Sequence, residues 1–114
     1  MKREKAVELI VSLDAELADK LQNDVAFRRR YIRFWAQTEL SSGIRELRHA
    51  RGMRQAEVAA LAATGQSAIS RIENAEYDGW TFKTVIGIAD VLGARLRITF
   101  EPIEDIINSY REEG

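Results

Sequence analysis

Between Gln66 and Arg71 the chain carries four side chains, Gln66, Ser67, Ser70 and Arg71, whose polar groups match those on nucleobase edges. A glutamine amide can bond an adenine edge in bidentate fashion, an arginine guanidinium a guanine edge, and a serine hydroxyl either one as donor or acceptor. Other chemistries are poorly supplied. The chain has no cysteine, which excludes a disulfide framework, a thiolate metal site and a cysteine nucleophile together. His49 is the only histidine, and alone it makes a poor metal ligand. No nucleophile stands beside a base and no glycine-rich phosphate loop is present, so neither an enzyme nor a cofactor or metal is expected.

At 114 residues, with 46% hydrophobic and 31% charged residues, the composition fits a folded chain with one compact core. The formal net charge of −1 runs against nucleic-acid binding, which draws on an excess of Lys and Arg. Its distribution matters more than its sum. From Glu101 onward Arg111 stands alone against Glu101, Glu104, Asp105, Glu112 and Glu113, so the acidity sits in the tail and leaves a weakly basic body. Acidic residues interrupt the first apolar positions after Met1-Lys2-Arg3-Glu4-Lys5, so neither a signal peptide nor a membrane span can be drawn. A cytoplasmic location is expected.

The elements that must hold these side chains follow from hydrophobic period and punctuation. Val7, Ile10, Leu13, Leu17 and Leu21 recur at helical spacing and predict a first helix ending near Gln22-Asn23. Asp24 can cap a second helix, with Phe27, Tyr31, Phe34 and Trp35 on one side and Arg28, Arg29, Arg30 and Arg33 on the other. The arginine cluster could meet nucleic acid, although a solvated helix face accounts for it better. Ser41-Ser42-Gly43 marks either a break with a serine cap or a small-residue patch in a longer helix. Short helices are predicted over Ile44 to Arg51, Gln55 to Ala63, Gln66 to Asn74 and Phe82 to Leu92, with Gly52 and Gly93 as stops and Thr81 as a cap. Leu96, Ile98 and Phe100 then alternate with Arg95, Arg97 and Thr99, the period of a half-buried strand. Pro102 ends it, and Ile103, Ile106, Ile107 and Tyr110 predict a short tail helix.

The stretch from Gly52 to Ala75, GMRQAEVAALAATGQSAISRIENA, resembles the helix-turn-helix of the XRE family, the lambda repressor and Cro type. The likeness rests on Gln55 opening the first motif helix, small Ala59 at the helix crossing, apolar Val58, Ala62, Ile69 and Ile72, and the run Ile-Ser-Arg-Ile-Glu-Asn from Ile69 to Asn74. It extends from about Ile44 to Gly93. The resemblance implies a second motif helix in the DNA major groove, with Gln66, Ser67 and Arg71 as base readers; Ser70 and Arg71 could instead contact phosphate. It implies phosphate contact by Gln55, which would also brace the first recognition residue; Arg54, Asn74 and Lys83 are further phosphate candidates. Arg48 and Glu73 match a pair that forms a largely buried salt bridge in phage repressors. Three positions depart from the family pattern. Ala63 occupies the turn position that usually holds Gly, Gly65 stands where many members have a capping Ser or Thr, and Arg54 replaces the Thr or Ser cap of the first motif helix. Glu76 and Asp78 also make the following loop acidic where phage repressors are often basic.

The expected fold is mainly α: a lambda-repressor-like helix-turn-helix bundle over 44–94, an N-terminal helical extension over 1–43, and one C-terminal β-strand followed by the tail helix over 95–114. The expected function is a sequence-specific transcriptional regulator, a repressor binding a palindromic operator in double-stranded DNA as a homodimer. The strand from Arg95 to Glu101, through Leu96, Ile98 and Phe100, would pair with its copy to build that dimer. The alternative is an antitoxin that also neutralises a toxin protein, with its DNA binding serving autoregulation.

Overall fold

The computed structural model describes residues 3–75 and 77–112. Expectations that fall on Met1, Lys2 and Glu76, and on the side chains of Val7 and Ile10, lie outside the described residues. The elements are α1 (Arg3–Asn23), α2 (Val25–Ala50), α3 (Gln55–Leu61), α4 (Gln66–Ile72), α5 (Phe82–Val91) and α6 (Ile103–Glu112). They fall into two compact units, one made of the described residues up to Ile32 and from Thr99 onward, the other of Arg33–Ile98.

In the first unit α1 packs on α6. Ala18, Leu21 and Ile107 are buried together, with Leu17, Phe27, Tyr31, Ile106 and Tyr110 around them. The Tyr31 and Tyr110 hydroxyls lie 2.8 Å apart, and Arg111 donates to the Gln22 amide oxygen. The α1–α2 junction is fixed by Asp24, whose carboxylate accepts from the Phe27 backbone N–H at 2.9 Å, so the expected N-cap is in place. Of the aromatic side, Phe27 and Tyr31 join this core, whereas Phe34 and Trp35 remain exposed. Arg28 is not merely solvated: its guanidinium reaches back to the Leu21 carbonyl at 3.1 Å.

Three sequence expectations are corrected, the first being the single compact core: each of the two units has a buried cluster of its own. The helix expected to start at Ile44 is the last part of α2, which runs unbroken through Ser41-Ser42-Gly43. Both serine hydroxyls donate to the Thr38 carbonyl, at 3.2 and 2.7 Å, so the groups that could have capped a new helix are spent inside the old one. The C-terminal β-strand is absent. Arg95 to Glu101 has no strand structure, and no strand occurs among the described residues. The alternation of Leu96, Ile98 and Phe100 is real, but a strand also needs a ladder partner for its N–H and C=O groups, and none is present among the described residues. Leu96 is half-buried while Ile98 and Phe100 are 61% and 93% exposed, and the segment connects α5 to α6 without regular structure. The dimer ladder expected through these three residues therefore has no strand to build it.

The second unit holds the larger core: Ile44 of α2, Val58 and Ala59 of α3, Ile69 and Ile72 of α4, Ile88 of α5, and Leu92. Its turns use the local signals anticipated. Gly52 and Gly93 both have φ of 67°, the left-handed conformation that glycine takes without a Cβ penalty. Thr81 caps α5 by accepting from the Thr84 backbone N–H at 3.2 Å. Ala63 takes φ of 54° in the α3–α4 turn, so the turn keeps the place where the family has Gly, and alanine bears the strain.

Candidate nucleic-acid interface

Two short helices meeting at a steep angle need a small residue at the contact and apolar residues inward. The α3–α4 pair meets both needs: Ala59 is 3% exposed, with Val58, Ile69 and Ile72 buried beside it. Because a helix repeats every 3.6 residues, burial of Ile69 and Ile72 fixes the opposite face of α4 outward. That face carries Gln66, Ser67, Ser70 and Arg71, all exposed and related by three- and four-residue steps. Gly65 supplies the N-cap of α4 without a side-chain bond.

Behind α4 lies a charged network that locks the two motif helices to α2. Arg48 holds Glu73 through a fork, Nε to Oε2 at 2.6 Å and Nη2 to Oε1 at 2.9 Å. The side chains are only 9% and 5% exposed. Arg48 also donates to the Met53 carbonyl at 2.9 Å, and the Gln55 amide donates to Glu73 Oε1 at 3.2 Å. One carboxylate thus joins the ends of α2 and α4 to the start of α3. Gln55, which the family likeness gave to phosphate, spends an amide hydrogen on this network.

Burial pushes the Glu73 carboxyl up, but the hydrogen bonds from Arg48 and Gln55 and the Arg48 charge outweigh it, and the net displacement is below the ordinary carboxylate range. The Arg48 guanidinium is raised chiefly by its hydrogen bond to Glu73, against an opposing desolvation. A carboxyl depressed in the folded state contributes stability above its unfolded value, and loses it as pH falls through the folded one. Denaturant midpoints for the parent and Glu73→Gln are therefore expected to differ most near neutrality and to converge as pH drops below about 4. A gap unchanged between pH 7 and pH 3 would show that Glu73 does not titrate in this way.

The phosphate candidates sit around this frame. Arg54, Asn74 and Lys83 are exposed. Arg54 is ion-paired with Glu57, whose carboxylate accepts from Arg54 Nε at 3.0 Å and from its backbone N–H at 3.1 Å. An arginine cannot accept in return, so this is half a capping box. The Glu57 carboxyl is held below its usual value first by that side-chain bond and then by the backbone one. In the loop after α4, Asp78 faces Arg33 at 3.6 Å, so part of the loop's acidity is paired on the surface.

One residue of the site was missed in the sequence. The Arg71 guanidinium stands over the Tyr77 ring, 5.6 Å from its centroid. No periodic pattern joins positions six apart; the contact arises because the chain turns back after α4, with Asn74 N–H bonding the Arg71 carbonyl and Tyr77 N–H the Asn74 carbonyl.

A protein-family model described as a helix-turn-helix domain matches residues 39–97, just over half of the chain. The chain belongs to the helix-turn-helix domain family. This is a family found in XRE-type DNA-binding regulators, in agreement with the resemblance read from Gly52 to Ala75. No curated protein and no solved structure matches the chain significantly. The matched residues contain all of α3, α4 and α5 and the Arg48–Glu73 pair, so membership identifies the helix-turn-helix protein as a DNA-binding regulator. The family is typically non-enzymatic. Among the described residues no group of three or more His, Asp or Glu is placed to hold a metal ion, and no helix is long and apolar enough to cross a membrane.

Proposed function

We propose that this helix-turn-helix protein is a cytoplasmic, sequence-specific transcriptional repressor that binds a palindromic operator as a dimer. The observation that carries the reading is the two-sided character of α4: Ile69 and Ile72 are buried, and Gln66, Ser67, Ser70 and Arg71 are all exposed on the other side. Laid in the major groove, that outer face reads base edges. Lys83, Asn74 and Arg54 then contact the backbone, with Arg54 exchanging Glu57 for a phosphate. A helix of seven residues spans only a few base pairs, so useful discrimination calls for two half-sites and two subunits.

Selection of bound duplexes from a random pool tests this directly. Enriched sequences are expected to hold a short element repeated in inverted orientation, with centres about 10 base pairs or a multiple of that apart. A pool that never enriches would refute sequence-specific binding, and enrichment of a single unrepeated element would refute the dimer.

A further inference from the structure

The position of Arg71 is set from outside its own helix. Arg71 lies near the end of α4, exposed, and its guanidinium rests over the face of Tyr77. Tyr77 is itself half-buried and packed against the Ile44–Ile88 core, so its ring is a fixed surface. Gly79 lies against the hydroxyl end of the same ring. A Cβ built there would fall 2.6 Å from the Tyr77 hydroxyl oxygen and 2.7 Å from two ring carbons, closer than real atoms approach. Gly79 does not have a left-handed φ, so its lack of a side chain serves this close approach and not a backbone turn.

We infer that Tyr77, seated against Gly79, is a positioning residue that holds the Arg71 guanidinium for base recognition and so sets specificity at one base pair. The inference rests on the assignment of Arg71 as a base reader. A long arginine free to rotate spreads its fork over many directions and meets phosphates as readily as a guanine edge. One stacked on a ring has fewer orientations to lose on binding, and its fork is aimed before DNA arrives. The ring thereby favours bidentate contact with a base over a diffuse contact with the backbone.

The experiment measures affinity for the selected operator and for duplexes substituted at each position, using the full chain and Arg71→Ala, Tyr77→Leu, Tyr77→Phe and Gly79→Ala. Arg71→Ala first identifies the base pair whose preference it removes. Tyr77→Leu is expected to reduce the preference at that pair by roughly two- to fivefold, with the preferences at other positions unchanged. Tyr77→Phe keeps the ring and is expected to stay within about twofold of the parent. Gly79→Ala leaves Tyr77 in the sequence but displaces its ring, and is expected to follow Tyr77→Leu; it also serves if the leucine variant fails to fold. If Arg71→Ala alters no base preference, the base-reader assignment fails and the inference falls with it. If Arg71→Ala removes a preference that Gly79→Ala and a folded Tyr77→Leu both retain, Arg71 reads the base unaided and only the positioning role is overturned.

Discussion

Glu73→Ala is expected to destabilise the fold by about 3 kcal/mol, the lower part of the range for breaking one half of a buried ion pair. Arg48 would keep its bond to the Met53 carbonyl and lose both carboxylate contacts, leaving a guanidinium that cannot shed its charge in a site 8% exposed. Arg48→Ala should cost less. The Glu73 carboxyl left behind still receives the Gln55 amide and can take up a proton, so this variant's deficit should shrink as the pH is lowered. An apolar pair at both positions, Arg48→Met with Glu73→Leu, is expected to recover much of the loss because neither charge then needs a partner. Equilibrium unfolding in denaturant measures all three. Single variants as stable as the parent would mean that the network contributes nothing to holding α3 and α4 on α2.

On the outer face of α4 the expectation is reversed, with large effects on binding and small ones on folding. Gln66→Ala and Arg71→Ala are each expected to weaken binding to the selected operator by about 1–3 kcal/mol, concentrated at one base position per variant. Their melting temperatures should match the parent, since both side chains are exposed and neither contributes to the Ile44–Ile88 core. Lys83→Ala provides the contrast. A phosphate contact carries no sequence information, so its loss should weaken all duplexes alike and reduce the salt slope by about 1. If the two α4 variants also weaken all duplexes alike, the face meets the backbone and reads nothing.

Much of this frame was legible in the sequence because the signals are local. Asp24 and Thr81 cap helices through bonds within three residues, and Gly52 and Gly93 adopt the left-handed conformation their positions called for. The inward pattern of Val58, Ala59, Ile69 and Ile72, all buried, turns the opposite face of α4 outward. What could not be read depended on groups distant in the chain or on a choice between equal local bonds. The Ser41 and Ser42 hydroxyls serve a cap or a helix interior equally well, and the unbroken α2 shows which was taken. Leu96, Ile98 and Phe100 have the period of a strand, but period supplies no partner for the backbone. Tyr77 is invisible as part of the site because only the return of the chain after Asn74 brings it beneath Arg71. Gln55 likewise gave no sign in the sequence that its amide would bond Glu73.

The central claim is that the exposed face of α4 discriminates between DNA sequences. The most direct measurement is a fluorescence-anisotropy titration of the parent protein against the selected operator and against a duplex of the same composition in scrambled order, both at about 0.15 M salt. The account predicts that the operator binds at least roughly a thousandfold more tightly, the lower end of the ratio separating specific from non-specific binding. Equal affinities for the two duplexes would contradict it.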